Sequence, residues 1–93
     1  MFVAVGRIQL TMQQNNSLKD KRRLLSSITG RVRSKFNVSI AEVDLQDVWR
    51  QGVLGIAVVG SSAAFARESL ETVVRFIEGY FPVEIPSITI DVL

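Results

Sequence analysis

The order of two kinds of apolar periodicity constrains the fold of this chain more than any other sequence feature. Three segments are apolar at every second residue, as in a half-buried strand, and one short segment is apolar throughout, as in a buried strand. Two longer segments are apolar at every third or fourth residue, as in an amphipathic helix. These segments are residues 2–12 (strand), 18–36 (helix), 38–47 (strand), 53–59 (strand), 65–77 (helix) and 88–92 (strand). The pattern therefore predicts six elements in the order β-α-β-β-α-β.

This element order is typical of the ferredoxin-like α+β fold. In that fold a four-stranded antiparallel sheet has the strand order 4-1-3-2, and both helices cover one of its faces. The chain has 93 residues, of which 47% are apolar and 22% are charged, values that suit one packed domain. We predict a single ferredoxin-like domain over residues 1–93.

Local signals place the element ends. Ser17, followed by Asp20 three residues later, predicts an N-cap for the first helix, and Ser61 or Ser62 predicts one for the second helix. Gly79 is expected to end that second helix as a C′ glycine. Residues 53–59 are apolar on both faces, which predicts a central strand. The last strand follows two prolines and is expected at an edge of the sheet.

The side-chain inventory argues against most enzyme chemistry. The chain has no cysteine and no histidine, which excludes disulfides, thiolate nucleophiles, zinc sites of the Cys/His type and histidine acid–base catalysis. No glycine-rich phosphate loop is present. Glu42 and Asp44 are expected on one face of a strand, as solvated or ion-paired acids. We predict a protein that is not an enzyme and that uses no metal and no cofactor.

Sequence signals for membranes and export are weak. No apolar run approaches the roughly 18 residues that a membrane-spanning helix needs. The N-terminal segment lacks both a basic region before its apolar stretch and a small-residue cleavage site after it. The expectation is a cytoplasmic protein without membrane contact.

Basic residues are concentrated in one segment. Residues 17–36 hold seven of the eleven basic residues and one acid, so their net charge is +6 and that of the remaining chain is −4. Cations near a helix N-terminus oppose the helix dipole, yet together with free backbone N–H groups they form a suitable site for phosphate. The predicted nucleic-acid or anion-binding set is Ser17, Lys19, Lys21, Arg22, Arg23, Arg33 and Arg50, with Trp49 as a weaker candidate for base stacking. The implied partners are RNA or ribosomal particles.

Two alternatives to this interpretation stay open. The cations of the first helix can instead be neutralised by surface ion pairs with Glu42, Asp44 or Asp47. The Trp49 ring can close one end of the core instead of stacking on a base. Arg33 lies near the helix C-terminus, where a cation is stabilising in any case.

The uncovered face of the sheet is a second candidate surface. It presents no aromatic residue on the two central strands, so the base-stacking mode of RNA-recognition motifs is excluded. A continuous apolar patch on this face predicts a homodimer, although a bulge in the second strand would turn Ile40 inward. The predicted interface residues are Val3, Val5, Ile40, Leu54, Ile56 and Val58. The alternative function is accordingly a protein-interaction or dimerisation module without nucleic-acid binding.

Three strings carry a family resemblance. They are SLKDKRR at 17–23, FNVSIAEVD at 36–44 and QDVW at 46–49. Together they resemble the YlxP-like family, a bacterial group known as domain of unknown function 503, over nearly the whole chain. The resemblance implies the predicted fold and a bacterial origin. Members of this family often lie beside genes for translation and ribosome-maturation factors, which implies an RNA-linked role by association.

Overall fold

Six elements follow one another in the predicted order in the computed structural model, which describes residues 1–93. They are β1 (Phe2–Thr11), α1 (Leu18–Lys35), β2 (Ser39–Asp44), β3 (Gln51–Gly60), α2 (Ala63–Tyr80) and β4 (Glu84–Val92). The four strands form one antiparallel sheet in the order β2-β3-β1-β4. Read in the opposite direction, this is the predicted strand order 4-1-3-2. The ferredoxin-like fold, the central position of β3 and the edge position of β4 are therefore confirmed.

The two helix starts follow the capping signals in the sequence. The Ser17 hydroxyl accepts a hydrogen bond from the backbone N–H of Asp20 at 3.0 Å, and the Asp20 carboxylate accepts one from the N–H of Asn16 at 2.9 Å. At α2 the Ser62 hydroxyl accepts from the N–H of Phe65 at 3.1 Å. Each cap satisfies a backbone donor that the helix itself leaves free.

The end of α2 differs from the prediction. The helix continues through Gly79 to Tyr80, and Gly79 does not take up a positive φ. Phe81 is the C-cap, with an extended backbone at φ −129° and ψ 151°. The following Pro82 disfavours helical backbone at the residue before it. The helix therefore ends because of Pro82, and the assignment of Gly79 as a C′ glycine is wrong.

The core lies between the two helices and one face of the sheet. From Ala4 onward the even-numbered residues of β1 point toward the helices and are buried, as in Ala4 and Ile8. Gly6 lies directly under α2: a Cβ atom at this position would come within 2.8 Å of a methyl carbon of Leu70. Glycine at this position therefore lets α2 pack closely against β1.

Four residues of the predicted dimer interface lie in this core instead. They are Ile40, Leu54, Ile56 and Val58, all buried beneath the helices. In the β1–β3 ladder Gly6 pairs with Ile56, and residues that pair across an antiparallel ladder share a face. For Leu54, Ile56 and Val58 the prediction was wrong because β3 is apolar on both faces, so its own sequence does not show which side faces the helices. Ile40 of β2 pairs with Ile56 and shares its face.

The open face of the sheet is therefore smaller and more polar than predicted. Val3 and Val5 do lie on it, opposite Val59 and Ala57 of β3. Two of the predicted interface residues therefore lie on the open face. Val59 is 64% exposed and is the most exposed of these apolar side chains.

An ion pair crosses the middle of this open face. The Arg7 guanidinium lies 2.6 Å from the Asp44 carboxylate, and both side chains are about half exposed. A register shift between Glu42 and Asp44 places Asp44 on the open face, whereas Glu42 points toward α1. The expectation that the two acids share a face is wrong because of this bulge.

Candidate nucleic-acid interface

Lys21 is the one cation of α1 that the fold buries. Its side chain is 1% exposed, and its ammonium group lies 2.9 Å from a carboxylate oxygen of Glu42. It also donates hydrogen bonds to the backbone carbonyl of Leu45 at 2.5 Å and, more weakly, to that of Gln46 at 3.4 Å. Oε2 of Glu42 accepts no hydrogen bond, so Lys21 and Glu42 attract by charge without a directional bond.

This burial removes Lys21 from the predicted anion-binding surface. The sequence contained a signal for it, because Lys21 lies four residues before Leu25 and seven before Ile28. It therefore falls on the apolar stripe of the helix, and Leu25 and Ile28 are both in the core. Ion pairing of α1 with Glu42 was one of the open alternatives, and it occurs here in the interior instead of at the surface.

The loop between β2 and β3 is fastened to the start of α1. The buried side chain of Asn15 donates a hydrogen bond to the carbonyl of Trp49 at 2.9 Å. Arg50 donates from Nε to the Asn15 carbonyl, also at 2.9 Å. The Leu45 carbonyl accepts the hydrogen bond from Lys21, and Leu45 has a left-handed backbone with φ 57°. Because this conformation costs a non-glycine residue free energy, other contacts must hold it. Contacts from the β1–α1 segment therefore hold this loop in place.

Trp49 and Arg50 consequently lie at the same end of the molecule as the α1 N-terminus. The Trp49 side chain is 51% exposed and is not part of the core cluster. Arg50 uses Nε for the internal bond to Asn15, while its NH2 group makes only a long contact of 3.5 Å to the Asn16 side chain. Most of the Arg50 guanidinium therefore remains available at the surface.

The cations in the second half of α1 have contacts within the chain. Arg33 donates a hydrogen bond to the carbonyl of Ile40 at 2.7 Å, which ties the helix to β2. The guanidinium of Arg31 lies 5.0 Å from the centroid of the Phe81 ring, and the ammonium of Lys35 lies 5.1 Å from that of Phe76. These are cation–π distances. Arg33, although predicted to contact an anion, thus has a structural role in the fold.

Three cations of α1 have no partner in the chain. Lys19, Arg22 and Arg23 are exposed, and the two ion pairs of the structure are Arg7–Asp44 and Lys21–Glu42. Their spacing of three and four residues places them on one side of the helix. Ser17, predicted as part of the same set, uses its hydroxyl to cap the helix. The three cations form a surface that we call the α1 basic surface.

The structure also bears on metal sites and membrane-spanning helices. No group of three or more His, Cys, Asp or Glu side chains is positioned to hold a metal ion. Neither helix combines the length and the apolar character needed to cross a membrane.

Fold and surface together define a small ferredoxin-like α+β protein with a basic first helix. The chain matches the family described as "Protein of unknown function (DUF503)" over residues 3–90, and it belongs to that family. The resemblance seen in the sequence is thereby confirmed. A curated relative is "Uncharacterized protein YlxP" of Bacillus subtilis (strain 168), which is 44% identical over 68 residues, covering 73% of this chain and 74% of the relative.

A solved structure supports the fold. The solution NMR structure of a de novo designed protein with a ferredoxin fold superposes with a TM-score of 0.53 and 18% sequence identity. The match covers 100% of this chain and 84% of the designed one. At this identity the similarity concerns the fold alone.

Proposed function

We propose that this protein binds single-stranded RNA through the α1 basic surface and acts, without catalysing a reaction, as an RNA- or ribosome-associated accessory protein. The observation that carries the proposal is the division of charge along α1. Lys21, Arg31, Arg33 and Lys35 all have contacts within the chain, whereas Lys19, Arg22 and Arg23 have no acidic partner.

The position of these cations supports an anionic ligand. Lys19 is the second residue of α1, where the helix dipole already supplies positive potential and a further cation costs free energy. A bound phosphate would be attracted by the cations and by the dipole together. Positions where local preferences are violated without compensation inside the chain are where binding sites are expected.

The neighbouring loop favours single-stranded RNA over a duplex. Trp49 is half exposed, and the hydrogen bonds of its carbonyl and of Arg50 hold the loop beside the start of α1. Exposed aromatic rings beside cations bind unpaired bases by stacking, while the cations bind the phosphates. The bases of a duplex are stacked on one another and present no free ring face to Trp49.

The test is the salt dependence of binding to a labelled single-stranded RNA, followed by fluorescence anisotropy. Three phosphate contacts predict a log–log slope of about −2, since each contact contributes about −0.7 on a single strand. Substituting R22Q/R23Q should bring the slope to about −0.7. The matched control is R31Q/K35Q, which removes the same charge from the other end of α1 and should leave the slope unchanged.

Two outcomes decide against the proposal. An equal loss in both double variants would mean that the RNA responds to overall charge and not to the α1 basic surface. No binding at low salt would mean that this surface has no RNA role. W49A should weaken binding by roughly 5- to 150-fold at an unchanged salt slope, because stacking contributes about 1–3 kcal/mol per base. Co-sedimentation with ribosomal particles, compared between the same variants, tests the ribosome-associated role.

A second candidate function is binding of a partner protein on the open sheet face. The observation that favours it is the exposure of Val59 together with Val3 and Val5 at one end of that face. On this alternative the protein would bind no RNA, and V59D would abolish partner binding while R22Q/R23Q would not. A homodimer through this face stays a prediction, and the exposed Arg7–Asp44 pair limits its apolar area.

A further inference from the structure

The two edges of the sheet differ in how well they are protected. The β2 edge has six residues and a register shift between Glu42 and Asp44, features that discourage pairing with another strand. The β4 edge has nine residues. In its first half β4 has Pro86, which removes a hydrogen-bond donor, and a register shift against β1 between Gln9 and Thr11. Both lie before Ser87, which leaves residues 87–92 as an edge that can pair.

A groove runs along this free part of β4, on the side of the sheet that carries the helices. Its volume is about 370 Å³, and Val74, Ile88 and Ile90 form its apolar part. Ile88 is 46% exposed although it lies on the helix side of the sheet. The groove thus presents an uncovered apolar side chain directly beside an unpaired strand edge.

Charged residues of α2 line the groove with alternating sign. In chain order they are Arg67, Glu71, Arg75 and Glu78. None of them forms an ion pair in the chain, although the spacing of three and four residues would allow pairs along the helix. Arg75 instead donates a hydrogen bond to the hydroxyl of Thr72 at 3.2 Å.

We propose that a second copy of this chain binds here, with β4 antiparallel to β4 of the other copy, so that the two sheets continue as one. A two-fold axis brings the same surface of both copies together. A row of charges on this surface must therefore be complementary to the same row running in the opposite direction. The sequence of signs on α2 meets this condition: Glu71 faces Arg75 of the other copy, and Arg67 faces Glu78. Every charge of the groove then meets an opposite one.

The charged positions of α2 and the free part of β4 line the same groove, so one two-fold axis can relate both to their copies. The charged positions of α2 are centred near Val73, and the free part of the β4 edge is centred near Thr89. Pairing about Thr89 puts Ile88 of one copy beside Ile90 of the other, which covers the exposed apolar side chain. α1 packs over β2, at the far side of the sheet from β4, so the dimer leaves the α1 basic surface free and the two proposals are independent.

The test uses E71R and R75E in the intact chain, with the mass measured by sedimentation equilibrium. The native protein should give about twice 10.3 kDa. Each variant alone should be monomeric, because E71R opposes arginine to arginine and R75E opposes glutamate to glutamate. An equimolar mixture should regain the dimer mass, since the cationic strip of one variant then faces the acidic strip of the other.

Controls keep misfolding and other interfaces apart from this result. Circular dichroism should show native helix content in both variants, because neither Glu71 nor Arg75 belongs to the buried core. Recovery of the dimer on mixing also requires folded partners. V59D on the open face should stay dimeric. The proposal would be overturned by a monomeric native protein, by a dimer of E71R or of R75E on its own, or by a mixture that stays monomeric. It would also be overturned if V59D lost the dimer while E71R and R75E kept it.

Discussion

Replacing Lys21 by methionine tests whether the buried ion pair between α1 and β2 stabilises the fold. Methionine keeps the apolar stem but leaves the Glu42 carboxylate without its cation and the Leu45 carbonyl without its charged donor. Removing one partner of a buried pair costs about 3–5 kcal/mol. The Glu42 side chain is one-quarter exposed and can turn toward water, so we expect the lower end, about 3 kcal/mol.

The assay is a double-mutant cycle of K21M, E42Q and K21M/E42Q, measured by urea and thermal unfolding. In a domain of this size 1 kcal/mol shifts the Tm by about 4–8 °C, so K21M should lower it by about 12–24 °C. K21M/E42Q removes the unpaired charge and should recover about 1–2 kcal/mol relative to K21M. A loss below about 1 kcal/mol in K21M, well under the cost of breaking a buried pair, would refute the idea that this pair is needed for stability.

Three further changes probe local features of the structure. Gly30→Ala should stabilise the fold by about 1 kcal/mol, because alanine is the better helix former and its Cβ would meet no heavy atom within 4 Å; an unchanged Tm would contradict this. Lys19→Glu should raise stability by roughly 0.3–1 kcal/mol at low salt and less at high salt, as expected for a charge beside the helix dipole. The N–H of Leu45 and the Arg7 guanidinium lower the pKa of Asp44. The ionised Asp44 carboxylate therefore contributes fully to folding stability above the ordinary pKa of about 4, and this contribution is lost as the pH falls through the lowered pKa. Arg7→Gln should raise this pKa, followed by NMR titration of the carboxyl group, but not to its ordinary value, because the Leu45 donor remains.

The parts of the fold that depend on local pattern could be predicted from the sequence. The Ser17 cap needs only a hydroxyl before an amphipathic segment, and the edge position of β4 follows from Pro82 and Pro86 near its start. The inward face of β3 could not be predicted in this way. Because β3 is apolar on both sides, its orientation depends on the ladder with β1, in which Gly6 meets Ile56.

The candidate site was only partly predictable for a related reason. A count of charges treats all cations of α1 alike, whereas burial and contacts with other elements separate them. Lys21 could be recognised from its place on the apolar stripe, but its partners Glu42 and Leu45 come from another strand and a loop. The roles of Arg31 and Lys35 depend on rings that α2 brings to them, which spacing along α1 cannot show.

The three unpaired cations of α1 lead to a last prediction, about stability in the presence of RNA. The Asp20 carboxylate accepts a hydrogen bond from the N–H of Asn16 at the start of α1, so this turn accommodates an acidic side chain. A cation at Lys19 gains no stabilisation from the helix dipole in the same turn. If RNA binds the native state alone, it should stabilise the protein by about 2.7 kcal/mol at a concentration of 100 times its Kd. R22Q/R23Q should lose most of this gain at the same RNA concentration, and R31Q/K35Q should keep it. An equal rise in Tm for both variants would mean that the RNA binds elsewhere on the protein, and the unpaired cations would then be without a ligand.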